Sequence, residues 1–141
     1  PFVKFSTGSI TTPGLFTFTQ VMNVGEKNKD CYKGKIIILV NEVSQSSAEY
    51  HAMAYKAHPN ALVMGSTTAG ADGNVSEIHL PGGIFSWISG IGVYYPGGKE
   101  TQRVGIVPDL EVKPTIQGIR EGRDEVLEKA LEEINRAIKN N

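Results

Sequence analysis

The sequence predicts an α/β fold built on a parallel strand–helix–strand unit, and three observations predict it. An apolar, β-branched run at residues 36–40 breaks at Asn41 into a polar turn holding Ser44, Gln45, Ser46 and Ser47. Ala48, Glu49, Ala52, Met53, Ala54 and Tyr55 then suit a helix, which Pro59 stops near His58. Residues 61–66, ALVMGS, read as a second buried strand, far enough from the first for a parallel crossover.

The remaining elements follow in order. Residues 2–6 read as a strand, and the Gly-, Pro- and Thr-rich TGSITTPG after them as a loop. In residues 15–24, LFTFTQVMNV, apolar and polar residues alternate as in a strand or edge ribbon. GEKNKDCYKGK is a charged surface connection. Beyond the central unit, TTAGADGN is a glycine-bearing loop, followed by short β segments at residues 75–80, 84–88 and 92–95. Pro-Gly-Gly and Ser-Gly clusters separate these segments. Residues 104–112, VGIVPDLEV, read as a last extended piece. A helix closes the chain: Asp124 is its N-cap, and Val126, Leu127, Ala130, Leu131, Ile134, Ala137 and Ile138 form one apolar stripe. Arg136 and Lys139 sit in its last turns, where cations suit the helix dipole. No repeat or linker divides residues 1–141, which read as a single domain.

A chain of 141 residues buries roughly two-thirds of its unfolded surface. Its 40% hydrophobic and 21% charged residues are those of an ordinary globular protein. A formal net charge of -1 gives no electrostatic case for nucleic acid or an anionic membrane. The single Cys31 excludes an internal disulfide and a cysteine metal cluster, and does not fix the compartment. No apolar run approaches the roughly 20 residues that span a bilayer, and no leader-like segment opens the chain. Because Pro1 leads directly into strand-like FVKFS, the chain is expected to be a piece of a longer protein.

The strand-to-helix turn is where chemistry is expected. A serine hydroxyl at a helix N-terminus meets free N–H groups and the positive dipole end, which favour developing negative charge. Ser44, Ser46 and Ser47 all compete for that place, and Ser46 with Glu49 also has the spacing of a capping box. The nucleophile-elbow pattern G-x-S-x-G is absent. A serine nucleophile needs a base within hydrogen-bond reach. His51 lies five residues past Ser46, about 7.5 Å along the helix and well around its axis. His58 suits the helix C-terminus and His79 a sheet face, and no pair has metal-ligand spacing, so no metal is predicted. The loop from Gly65 to Gly70 fails as a phosphate loop because Ala71 and Asp72 stand where Lys and Ser or Thr belong. Asp72 reads first as a turn residue bonding its own backbone, and second as a charged site residue. Trp87, Tyr94 and Tyr95 read as strand aromatics of the core, with pocket lining as the alternative.

The run VNEVSQSSAEYHAMAYKAHPNALVMGSTTAGADG resembles the C-terminal processing peptidases, or tail-specific proteases, including their tricorn-like branch. Val40 and Asn41, Ser46 to Glu49, Val63 with Gly65, and Thr68 with Gly70 fall at the family's motif places. Gly105, Ile106, Pro108 and Asp109 match its G-[IV]-x-P-D segment, so the resemblance covers residues 35–112. It implies the Clp-protease/crotonase-like fold of ββα units, here partial, with a β-ribbon and a C-terminal helix. It also implies a serine peptidase acting on peptides or proteins through an acyl-enzyme, with no cofactor.

By the same resemblance Ser46 is the nucleophile and the Ser47 N–H an oxyanion donor. The lysine base of the Ser–Lys branch is missing, since Ala71 stands at its place, and Ala57 replaces a supporting aspartate. The tricorn-like branch uses an upstream histidine, which lies outside this chain, and a glutamate at a position most nearly Gln102. The chain is therefore expected to be the C-terminal portion of a peptidase core, carrying the nucleophile without its base. Its partners would be a peptide substrate laid along a strand edge, the N-terminal part of the same protein, and other copies in an oligomer. Many relatives work in the cell envelope. A non-catalytic binding relative and crotonase-type acyl-CoA chemistry are the rival readings.

Overall fold

The computed structural model describes residues 1–139. Its elements run β1 (Lys4–Gly8), β2 (Phe16–Phe18), β3 (Ile36–Val40), α1 (Ser47–Lys56), β4 (Ala61–Gly65), β5 (Val75–Leu80), β6 (Ile84–Ser89), β7 (Ile91–Tyr94), β8 (Leu110–Glu111), α2 (Ile116–Arg120) and α3 (Glu125–Lys139). The central unit is the one expected. β3 and β4 pair in parallel from Ile36 opposite Ala61 to Val40 opposite Gly65, and α1 is their crossover. β8 extends this sheet in parallel from the far side of β4.

An antiparallel sheet in the order β2-β1-β7 lies on the other side of α1. One core joins the two sheets: Val40 and Val63 of the parallel sheet, Ala52 and Met53 of α1, Phe2, Val3 and Val93 beside or within the antiparallel one. Tyr50 locks the helix to β1, its ring 5.2 Å from Phe2 edge-on and 6.3 Å from Phe5 in a stack. Burying Met53 alone is worth about 1.5–3 kcal/mol. α1 is thus held from both sides, which fixes where its N-terminus points. α3 also packs on β3 and β4, and its buried Ala130 stands outside that core cluster, as strand alternation requires on the opposite face. The α/β class and its Clp/crotonase-like character are as the sequence led us to expect.

Four expectations need correction. The strand foreseen across residues 15–24 is only Phe16–Phe18, because Phe5 N–H turns to the Thr19 hydroxyl at 3.0 Å while its carbonyl accepts from Thr19 N–H at 2.9 Å, and pairing resumes only as a bridge between Val3 and Met22. Of residues 104–112 only Leu110–Glu111 is strand, since Gly105 turns with φ 78° and Ile106 N–H donates to the Thr68 hydroxyl at 2.7 Å. The short helix α2, whose N-cap Thr115 accepts from Gly118 N–H at 2.9 Å, was not foreseen. Trp87 is not a core aromatic: it lies on the β5–β6 ribbon, whose strands pair only with each other, and is 63% exposed. Asp124 caps α3 as expected, accepting from Leu127 N–H at 2.9 Å, and α1 ends at Lys56 with Ala57 as C-cap.

Candidate active site

The turn between β3 and α1 is fixed by short-range chemistry. The Ser44 hydroxyl accepts from Asn41 N–H at 3.1 Å and donates to Asn41 Oδ1 at 3.0 Å, closing a side-chain turn. Ser46 follows at φ 53° and ψ −121°, a region that L side chains seldom occupy and that costs about 1–3 kcal/mol. It is held there from both ends. Its N–H donates to Glu49 Oε2 at 3.1 Å, while its carbonyl accepts from Glu49 and Tyr50 N–H at 2.9 and 3.1 Å. The Ser46–Glu49 pair has the layout of a capping box with unequal halves: the Glu49 half is a hydrogen bond, whereas the Ser46 hydroxyl only lies near the third amide without closing a cap bond. Sequence lacks the G-x-S-x-G pattern, yet the backbone makes the sharp strand-to-helix turn that such a pattern usually secures.

Glu49 is the hub beneath this turn. It has no exposed surface, and four donors converge on its carboxylate. Besides Ser46 N–H these are Gly70 N–H at 2.8 Å, Ala71 N–H at 2.9 Å and the Thr68 hydroxyl. Thr68 in turn accepts from Ile106 N–H at 2.7 Å, and Ala69 N–H donates to the Ser44 carbonyl at 2.9 Å. The glycine loop after β4 is thereby clamped to the serine turn. The amides a phosphate loop would offer to a ligand are already bound to Glu49.

Ser46 and Ser47 are exposed and line a cavity of about 360 Å³ together with Phe5, Thr7, Thr19, Tyr50, Ile91, Val93 and the Asp72–Gly73–Asn74 turn. Among the described residues the Ser47 N–H has no acceptor, as befits the first residue of a helix. Asp72 is 5% exposed, with Oδ1 accepting from Gly73 N–H at 2.8 Å. Its Oδ2 is buried without a partner. Burial pushes the Asp72 carboxyl above the ordinary carboxylate range; the Gly73 N–H opposes this, and the nearby Glu49 charge adds to it. Gly73 stands at φ 106°, and a Cβ there would meet Gln102 Nε2 at 2.5 Å and the Ile91 carbonyl at 2.9 Å. Gln102 lies behind this wall. Its Nε2 donates to the Asp72 carbonyl at 2.7 Å and the Ile91 carbonyl at 2.9 Å, so it fixes two cavity residues through their backbones.

The histidines are occupied elsewhere. His51 turns back on its own helix, with Nδ1 2.6 Å from the Ser47 carbonyl oxygen and 3.2 Å from the Ser47 hydroxyl. His58 Nδ1 accepts from Asn60 N–H at 3.1 Å, leaving Nε2–H to donate to the Tyr32 carbonyl at 2.8 Å. His79 Nε2 lies 3.0 Å from Glu77 Oε1 on the exposed ribbon. No His, Lys or Arg is among the cavity-lining residues. Among the described residues, no three His, Cys, Asp or Glu side chains gather as a metal-ion site. The sequence alone offers Asp72 as a turn residue or a charged site residue, and Glu49 as a cap. Glu49's spacing from Ser46 was visible, but its reach to a loop about twenty residues away was not.

The family model described as Peptidase family S41 matches residues 7–112. An uncharacterised protein of Chlamydia muridarum is 32% identical over 113 residues, which are 77% of this chain and 19% of that protein. The chain thus spans about a fifth of the curated relatives it matches. Among solved structures, mature CPAF complexed with lactacystin superposes with TM-score 0.69 and 28% identity, over 76% of this chain and 21% of CPAF. A Parabacteroides merdae protein assigned as a peptidase gives TM-score 0.70 and 25% identity, over 87% of this chain and 37% of its own. The tricorn protease, at 17% identity and TM-score 0.56 over 84% of this chain and 13% of its own, shares the fold. A family model matched over most of the chain, with the serine turn and the G-[IV]-x-P-D segment inside the match, places the chain in peptidase family S41.

Proposed function

We propose that this chain supplies the nucleophile of a serine peptidase, that the nucleophile is Ser46, and that the base comes from outside the chain. The observation that carries the reading is the placement of Ser46: exposed, on a strained strand-to-helix turn, beside an open cavity and the unbonded Ser47 N–H. The other two serines of the turn are engaged, Ser44 with Asn41 and Ser47 with His51, which supports Ser46 over both. Ser46 Oγ attacks the scissile carbonyl and gives its proton to the base. The Ser47 N–H holds the oxyanion, the C–N bond breaks as the proton passes to the leaving amine, and water then hydrolyses the ester. Gln102, the residue most nearly at the family's acid position, serves here to fix the Asp72 and Ile91 backbones beside the cavity.

The test is labelling of the intact protein by a fluorophosphonate, followed by peptide mapping. Modification of Ser46, abolished by Ser46→Ala, is expected; no modification of Ser46 in the intact protein sinks the reading. One observation favours a second reading, a non-catalytic peptide-binding relative: no lysine or histidine lines the cavity. Peptide binding by an intact protein that the probe leaves unlabelled would select it.

A further inference from the structure

We infer that the cavity beside Ser46 is a binding subsite for a substrate side chain that ends in a cation, a lysine or arginine, and that Asp72 is its specificity determinant. Four observations converge. The walls are apolar, from Phe5, Tyr50, Ile91 and Val93, and suit a hydrocarbon stem. Asp72 is the one carboxyl on the lining, and no lysine, arginine or histidine of the lining neutralises it. Its Oδ2 is buried and has no hydrogen-bond partner, whereas every other buried side-chain polar atom among the described residues has one. Among the described residues, the one group found to stabilise its charge is the Gly73 N–H on Oδ1, while Glu49 repels it.

A buried carboxylate left unpaired by its own protein is costly to keep. The Asp72 turn is nevertheless secured from behind, by Gln102 donating to its carbonyl at 2.7 Å and by the space that Gly73 leaves open. A long side chain entering from the Ser46 end would lay its methylenes against the apolar walls and hold its cation at the Asp72 wall, in the field of the carboxyl buried behind the surface. A short or neutral side chain would leave the Asp72 charge unbalanced, and an acidic one would be repelled by both Asp72 and Glu49.

The inference rests on the peptidase reading for which bond is cut, but not for the binding itself, so the two are tested separately. Binding to the intact protein is measured by NMR titration with n-butylammonium and, in parallel, n-butanol. The expected result is that the cation binds at least about tenfold more tightly than the alcohol, roughly 1.4 kcal/mol, and that Asp72→Asn removes the difference while Ser46→Ala leaves it. Equal binding of the two probes, binding of neither, or a preference that survives Asp72→Asn overturns the inference. The comparison of probes on the unmutated protein decides even if Asp72→Asn does not fold. Failure of Ser46 to take the fluorophosphonate label would remove the peptidase reading and leave this result standing. With labelling intact, matched peptides carrying Lys or norleucine before the scissile bond are expected to differ by about tenfold in kcat/KM.

Discussion

At residue scale the site turns on two carboxyl groups with opposite treatment. Glu49 collects four donors and organises the serine turn, whereas Asp72 receives one donor and keeps an oxygen bare. That difference has a pH consequence. Burial raises the Asp72 carboxyl above its ordinary value, so between that value and the raised one the folded chain holds a proton that the unfolded chain has lost. Protons then bind the folded state more, and stability falls as pH rises through this window. Asp72→Asn removes the titration, so its urea midpoint relative to wild type is expected to improve steadily with pH across the same window. A difference between the two midpoints that does not change with pH would show that Asp72 titrates as it does when unfolded. Gln102 shows the same dependence on which groups can donate. Its amide donates to two carbonyls, and a glutamate there could not donate to either in its ionised form.

At the scale of elements, what was legible in the sequence and what was not divides along the range of the interactions. β3, α1 and β4 were readable because an apolar run, helix formers and Pro59 are local signals. The Asp124 cap was readable for the same reason. The course of the extended piece at residues 106–109 was not, because Ile106 and Asp109 N–H answer to Thr68 and Val63, some forty residues earlier, at 2.7 and 2.8 Å. The site divides in the same way. The serine-bearing turn was readable locally, with Ser46 singled out from Ser44 and Ser47 only by the family resemblance, but Glu49 as a hub and Asp72 as a cavity carboxyl depend on how the loop after β4 folds back onto α1. The β5–β6 ribbon shows the limit of pattern reading, since β-branched and aromatic residues predict strands without saying what covers them. Val75, Phe85, Trp87 and Ile88 are each more than half exposed, and the two strands pair only with each other. Trp87→Ser is therefore expected to change unfolding free energy in urea by less than about 0.5 kcal/mol. A loss above 2 kcal/mol in the isolated chain would mean that the indole contributes to the core after all.

At the scale of the molecule, the chain carries the proposed serine turn and an adjoining cavity that no base lines. It spans 19% of its curated relatives, its cavity has no basic side chain, and one edge of the α3 stripe stays open at Leu127, Leu131 and Ile138. Proton transfer by a positioned base typically contributes 10²–10⁴-fold to such reactions. Removing the base while keeping the serine turn and the oxyanion donor should therefore lower turnover by about that factor and leave binding in the cavity largely unchanged. The 141-residue chain alone is expected to hydrolyse a fluorogenic peptide at least about 100-fold more slowly than the intact protein. It should still bind the peptide, because the cavity walls and Asp72 come from within it. Comparable turnover by the two, abolished in each by Ser46→Ala, would place the base inside this chain. His51, one turn from Ser47 and held by its carbonyl, would then have to rotate out of its hydrogen bond to serve. A His51→Gln variant separates these outcomes: it leaves turnover of the intact protein unchanged if the base lies elsewhere and abolishes it if the imidazole is the base.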